Sequence, residues 1–452
     1  MNRRFFTLIS LLTVLGILAA ACAQQAEPTA PPVLEPTEPE EVVPPPEDTE
    51  APQEVTTITW LTLGWPAPPT IEPIFEAANP DINLEVEQLS FADMFEQIQV
   101  RLGANSETPD VISVDVPVVA SYGIRGWLLP VDDAFTAEER ADWLASSNRA
   151  GQYQGQLLAP AMGTSTQLLY MNLDMFAEAG LTAPGPDDRL TWEQLADLAN
   201  QLTKDMDGDG TTDVYGFIWE QITRIYQLQP MPMSLGGLPL SPDGLAADGF
   251  VNSQAWVDAF TYYSKAFNEW GFAPKGDVGT VREMFQNQKL AMFLGGATNI
   301  KRIMDSGITF NWNVSRHPYF EGGEIVTPTG SWHIGVNARS LHPEAATRFV
   351  HWISTGEGAE EWFRASGEMP AQQSVLSLIN TDPSFQEGPM SYWKVAVEEA
   401  TVNPQPRPLT PGYMEYQTIL DEVFSDIRNG ADVQEALNSA VARIDTEMAK
   451  YK

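Results

Sequence analysis

Three observations predict an α/β fold with helices covering a largely parallel sheet. From residue 56 to 114 the chain alternates short apolar strand-like runs with longer amphipathic ones, in the order strand, helix, strand, helix, strand. Its apolar content is 43%, with 10% aromatic residues, which suits a large packed core rather than disorder. At 452 residues a single core is too large, so two domains are expected.

The first strand is Thr56 to Leu63, an alternating run that ends at Gly64-Trp65. Ile71 to Ala78 reads as a short helix stopped by Asn79-Pro80. Ile82 to Gln88 alternates again, and Phe91 to Ala104 follows as a helix. Val111 to Val114 is a compact strand ending beside Asp115. In such sheets ligands bind beyond the carboxyl ends of strands, which singles out Gly64, Trp65 and Asp115. Further on, Thr191 to Thr203 is a helix with Thr191 as N-cap, and Ser253 to Trp270 a longer one. Leu290 to Leu294 is a buried strand, expected to stop at Gly295-Gly296, and Trp332 to Val336 is another. Helices are expected over Pro343–Thr355, Glu357–Ser366, Tyr413–Asn429 and Asp432–Lys450.

Residues 1–55 read as targeting and tether rather than fold. Arg3 and Arg4 precede an apolar stretch from Phe5 to Ala21, the pattern of a signal peptide. Ala19, Ala20 and Ala21 lead into Cys22, the only cysteine in the chain. This resembles a bacterial lipobox, with Leu18 one step from the usual leucine position, and predicts lipidation at Cys22. Residues 23–55 hold nine prolines and nine acidic residues with no Lys or Arg, so they should be extended and solvated. One cysteine also excludes an intramolecular disulfide and a thiolate metal cluster.

The formal net charge is −36, from 25 Lys+Arg against 61 Asp+Glu. Subtracting the two arginines of the signal and the nine acids of the tether leaves −29 on the body. Such acidity repels phosphate backbones and excludes nucleic acid as a partner. No further apolar run approaches the ~20 residues that span a bilayer.

No catalytic motif is present: neither a Gly-x-Ser-x-Gly elbow, nor a phosphate-cradling glycine loop, nor His-Glu-x-x-His. The four histidines, His317, His333, His342 and His351, are dispersed and read as structural or solvated. Asp205, Asp207, Asp209, Thr211 and Asp213 follow the first nine positions of a calcium loop, with Gly210 at the sixth. The twelfth position is Gly216 instead of a bidentate Glu, so affinity should fall or another acid, such as Glu220, must substitute. An Asp/Gly-rich surface turn explains the same residues, and both readings stay open. Any ion here would be structural, and no cofactor is required. Of the thirteen tryptophans, Trp192, Trp256, Trp352 and Trp362 fall on helices and read as core. Trp65, Trp219 and Trp332 lie at strand ends, where a ring can stack on the apolar face of a sugar.

A series of short motifs now resembles one family. It comprises Ile58-Thr59-Trp60, Thr108-Pro109-Asp110-Val111-Ile112, Gly126-Trp127-Leu128-Leu129-Pro130, Leu169-Tyr170-Met171-Asn172, Leu190-Thr191-Trp192-Glu193, Tyr215-Gly216-Phe217, Ala291-Met292-Phe293, Gly330-Ser331-Trp332 and Pro406-Arg407-Pro408. In this order they resemble the sugar-binding group of extracellular solute-binding proteins of ABC importers, which includes the maltose-binding proteins. Met171 replaces a tyrosine frequent in the family, which bears on the solute rather than the fold.

The resemblance implies a two-lobed periplasmic-binding-protein-like fold with hinge crossovers and an interlobe cleft. The lobes would be 56–167 with 293–338, and 171–290 with 340–452, with hinges near Leu168–Tyr170, Ala291–Met292 and Arg339. It implies no enzyme but a lipid-anchored receptor on the outer face of the cell membrane, or in a periplasm. That receptor would be a monomer that hands a carbohydrate to permease subunits. The ligand residues it implies are Gly64, Trp65, Asp115, Gly163, Thr164, Trp219, Gly295, Gly296, Trp332 and Arg407, with Arg316 as a further candidate. The tryptophans favour a sugar; Arg316 and Arg407 keep a charged solute such as a glycerol phosphodiester, polyamine or peptide open. An extracellular carbohydrate-active enzyme and an adhesive or sensory protein are the readings from other classes.

Overall fold

The alternation of residues 56–115 folds as the sequence predicts. β1 (Thr56–Leu63) pairs in parallel with β2 (Ile82–Leu89) and β3 (Val111–Asp115). Ile58 and Trp60 face one layer of the core, while Leu61 and Leu63 face the other, so both faces of the sheet are covered. The helix Phe91–Gly103 is capped by Ser90, whose side chain accepts from Asp93 N. It buries Met94, Phe95, Ile98 and Leu102, the spacing of one helical face. The fourth strand, β11 (Trp332–Val336), comes from much later in the chain, and the order is β11-β3-β1-β2. This is a computed structural model that describes residues 55–64, 71–275, 281–330 and 332–452. Cys22, the signal and tether, and Trp65 lie outside the described residues. Gln53–Lys452 is one compact unit.

After a short hairpin of β4 (Gln152–Tyr153) and β5 (Gln156–Leu157), the chain builds a second sheet in the order β7-β8-β6-β9. Its strands are β6 (Gln167–Asn172), β7 (Tyr215–Trp219), β8 (Leu290–Gly296) and β9 (Trp312–Ser315). β7 and β8 run parallel, while β6 is antiparallel to both β8 and β9, so this sheet is mixed rather than parallel. The glycine pair does not stop β8: Gly295 and Gly296 continue the ladder opposite Leu168 and Gln167. β10 (Thr327–Thr329) pairs with β12 (Pro404–Pro406), and β11 (Trp332–Val336) closes the first sheet beside β3.

The lobe segments expected from sequence need two corrections. β8 and β9, within or beside the 293–338 segment assigned to the first lobe, belong to the second sheet. The helices Pro343–Ser354 and Gly356–Ser366, assigned to the second, pack on the first, where Phe349 and Trp362 flank Trp60 at 5.2 and 5.9 Å. The hinge positions also move. Leu168–Tyr170 and Ala291–Met292 are fully buried interior residues of β6 and β8, and Arg339 follows β11. The chain instead passes between the sheets at 158–166, between β9 and β11, and at 367–372. These segments are hydrogen-bonded side by side: Gly163 N donates to Trp332 O at 3.2 Å, Thr164 N to Met369 O at 2.6 Å, and Gln372 Nε2 to Ala161 O at 3.0 Å.

Two of the histidines are structural. His317 and His333 are buried, and each Nδ1–H donates to a backbone carbonyl, of Pro318 at 2.8 Å and of Ala159 at 2.7 Å. Burial lowers their pKa values to about 3 and about 4, so both rings stay neutral in the folded chain.

Candidate functional site

The carboxyl-end edge of the first sheet brings three predicted residues together. Gly64 directly follows β1, Asp115 ends β3, and Trp332 opens β11 directly opposite Asp115 in register. The matching edge of the second sheet carries Gln167, Glu220, Gly295 and Gly296, reached from the first crossing through Gly163 and Thr164. Thr164 is buried, with its hydroxyl 3.2 Å from that of Thr329.

Between these edges lies a buried ion pair. Arg407 donates from Nη1 to Asp115 Oδ2 at 2.8 Å and from Nη2 to Asp115 Oδ1, a bidentate fork. Burial disfavours the guanidinium charge, but the Asp115 carboxylate more than offsets this and holds it firmly protonated. Arg407 comes from the segment leading into the helix Tyr413–Arg428, which packs on Gln254–Asn268 and Val433–Met448. The pair therefore ties the first sheet to that helical layer. Arg407 also lies over the rings of Tyr226 and Tyr413, at 5.2 and 5.7 Å. Its Nε has no hydrogen-bond partner among the described residues.

Tyr226, which carries no sequence signal, stands at the centre. Its hydroxyl is 2.8 Å from Ser165 Oγ, and Ser165 donates to Gly330 O at 3.0 Å. Burial pushes the phenol up to about 12, so it remains a hydrogen-bond donor. Gly330 is needed here: a Cβ would sit 3.1 Å from Arg407 Nη2 and 3.6 Å from the Tyr226 ring. Trp332 is partly buried and packs its ring against Phe91 at 6.1 Å and Phe95 at 6.4 Å. Phe91 in turn lies under the Arg224 guanidinium at 4.9 Å, and Arg224 pairs with Asp421 at 3.0 Å. Phe91 carries a sequence signal, since it lies two residues past the end of β2 on the same sheet edge.

Three expectations are corrected by the packing. Trp219 does not face outward: it is fully buried among Trp192, Phe217, Tyr263 and Phe267, at 4.8 to 6.1 Å. Gly295 does not make room for a solute. Its missing Cβ makes room for Glu220 and Asn299, whose Oε2 and Nδ2 would lie 2.8 Å from it. Glu220 is not a partner of the aspartate loop; it accepts from Asn299 Nδ2 at 2.8 Å and Gly296 N at 3.2 Å and pairs with Arg282 at 3.7 Å. Arg316 joins a separate group, with Glu398 at 2.6 Å and Asp187 at 3.7 Å.

The loop Asp205–Asp213 is exposed. Oxygens of Asp205, Asp207 and Asp209 converge within 4.8 Å. Asp205 accepts from Gly208 N and Gly210 N, and these bonds hold its carboxyl below the usual range. Asp213 accepts from Met206 N, and Asp209 from Thr211 N. Elsewhere, a groove of about 840 Å³ is lined by Gln99, Arg125, Met414, Glu415, Arg443 and Glu447 among others, and contains none of the residues singled out from sequence.

The arrangement offers paired acceptors and donors beside flat rings, which suits the binding of a small polar solute. The chain is 24% identical over 315 residues to a Pectobacterium atrosepticum protein named sn-glycerol-3-phosphate-binding periplasmic protein UgpB, covering 66% of this chain and 68% of that one. Its fold is similar to that of an ABC substrate-binding protein from Listeria monocytogenes in complex with cycloalternan. The TM-score is 0.76 at 21% identity, over 87% of this chain and 99% of that one. It is also similar to an ABC transporter solute-binding protein from Thermotoga lettingae bound with alpha-D-tagatose, with a TM-score of 0.75 at 20% identity, over 87% and 100%. The family model of bacterial extracellular solute-binding proteins matches residues 57–360, two thirds of the length, and the chain belongs to that family.

Proposed function

We propose that this chain is the lipid-anchored receptor of an ABC importer and that it captures a sugar or polyol where the two sheet edges meet. The observation that carries this is the Asp115–Arg407 fork set beside Trp332 and Tyr226. A carboxylate and a guanidinium in one plane match the donor and acceptor of neighbouring hydroxyls, and an indole face matches the C–H face of the same ring. The three crossing segments run together beside this point, so rotation about them opens or closes the site. Trp332→Ala should weaken sugar binding by roughly tenfold without a matching loss of stability, the behaviour of a partly buried binding hot spot. Unchanged calorimetric affinity would remove Trp332 from the site.

An anionic solute is the second reading; it rests on Arg407 and on the glycerol-phosphate name of the 24% identical relative. Attachment rests on Cys22 behind its signal-like segment. Cys22→Ser should move the chain from the membrane pellet to the supernatant, and continued sedimentation would sink the anchor. The aspartate loop enters as a structural calcium site, because three carboxylates and the Gly210 turn suit a hard cation. Adding calcium should raise the melting temperature of the wild type but not of Asp207→Ala. Equal melting of the wild type in calcium and in chelator rejects the ion and leaves a hydrogen-bonded turn.

A further inference from the structure

Besides the Asp115–Arg407 fork, a second side-chain contact joins the layers of the two sheets, and it is built differently. Phe91 opens the helix Phe91–Gly103, which packs on β1 and β2. Arg224 follows β7 and immediately precedes the short helix Ile225–Leu228. The Arg224 guanidinium lies over the Phe91 ring, 4.9 Å from its centre. Its Nη1 donates to Asp421 Oδ2 at 3.0 Å. Asp421 belongs to the helix Tyr413–Arg428, which packs on Ile225–Leu228 and Gln254–Asn268. The two ends of Arg224 are therefore unequal. Toward its own layer it makes a charged hydrogen bond, and toward the first sheet it offers only a flat face to a ring. Rotation about the crossing segments can break the second contact and leave the first intact. Such a contact is modest in strength, and it parts without leaving a charge unpaired. Arg224 is half-buried, so water can reach the guanidinium once the ring withdraws. Phe91 also meets Trp332 edge-on, with centres 6.1 Å apart and planes at 79°, and it leans on Phe95 at 4.9 Å. Contacts thus run unbroken from Asp421 through Arg224 and Phe91 to the indole at the first sheet's edge.

We propose that Arg224 is a positioning residue that latches the two lobes together through the Phe91 ring and so raises solute affinity without touching the solute. A contact made in the closed form and lost in the open one stabilises the closed form alone. Where the closed form is the minor one and alone holds the solute, affinity rises by the same factor as the closed-to-open ratio. Asp421 keeps the guanidinium aimed, so the flat face is ready when Phe91 returns. A solute that fixes Trp332 also fixes Phe91 under Arg224, so solute and latch favour each other. This proposal rests on the reading of the chain as a solute receptor whose lobes move.

The test reads closure and binding on the same full chain in detergent micelles. The background carries Cys22→Ser and two exposed labelling positions, Glu344→Cys on the helix Pro343–Ser354 and Gln201→Cys on the helix Trp192–Leu202. Electron-resonance distances between spin labels at these positions give the ratio of closed to open molecules without solute. Calorimetric titration with a panel of neutral sugars and polyols gives affinity. Arg224→Ala should lower the closed-to-open ratio roughly threefold to tenfold and weaken binding by the same factor. Phe91→Leu, which keeps apolar bulk beside Phe95, should lower the ratio likewise. The double variant should lower it no further, because both substitutions remove one contact. A ratio that Arg224→Ala leaves unchanged overturns the latch, and so do additive effects of the two substitutions. Weaker binding at an unchanged ratio would put Arg224 on the solute itself, which also overturns it. If the ratio falls as expected while no member of the panel binds any of the proteins, the closure role is upheld and the reading of the solute as a sugar or polyol falls.

Discussion

Arg407→Ala should cost about 3–5 kcal/mol of folding stability and abolish measurable sugar binding. The magnitude follows from what remains. Asp115 is buried at 4% exposure, and its two oxygens accept from the two terminal nitrogens of Arg407. Removing one member of a buried pair strands a charge in low dielectric, which typically costs that amount. On the proposed function binding suffers twice, since the fork is gone and Tyr226 loses the cation over its ring. The double variant Asp115→Ala/Arg407→Ala should recover much of the stability, because no charge is then left alone, while binding stays lost. Chemical denaturation of the four proteins of this cycle decides the matter. If Arg407→Ala unfolds at the wild-type midpoint, the pair does not tie the first sheet to the helical layer.

Trp219→Ala should be as destabilising, about 3–5 kcal/mol, for a different reason. Its indole is fully buried where Trp192, Phe217, Tyr263 and Phe267 meet, between the second sheet and the helices Trp192–Leu202 and Gln254–Asn268. Truncation leaves a cavity that a strand and two helices cannot close. Trp219→Phe should cost less, since it keeps most of the apolar contact. Sugar affinity at a temperature where the variant remains folded should be unchanged. Loss of affinity with little loss of stability would return Trp219 to the ligand site.

These two tryptophan positions show what the sequence could and could not convey. Both Trp219 and Trp332 end or begin a strand, and both were expected to face a solute. The strand Tyr215–Trp219 is covered on both faces, so alternation carries no label for outside, and the ring turned into the core. Trp332 begins an edge strand whose first residue remains partly exposed. Asp115 was legible because β1, β2 and β3 run parallel, which puts their carboxyl ends on one edge. Arg407 was legible only through the Pro406-Arg407-Pro408 motif, since it reaches the edge from 292 residues away. The crossings were misplaced because β6 and β8 are continuous buried runs that look alike in a hinge or a sheet. The crossings at 158–166, between β9 and β11, and at 367–372 have no periodic pattern to mark them. Tyr226 gave no signal, since its role comes from packing against Ser165, 61 residues away.

On the proposed function, a neutral polyhydroxyl solute is held by the Asp115–Arg407 fork at the meeting of the two sheet edges. Calorimetric titration of wild type and Asp115→Asn with the same panel of neutral sugars and polyols tests it most directly. At least one member of the panel should bind wild type, and Asp115→Asn should weaken that binding by roughly tenfold or more. A solute bound equally well by both proteins, or no neutral solute bound by wild type at all, would contradict it.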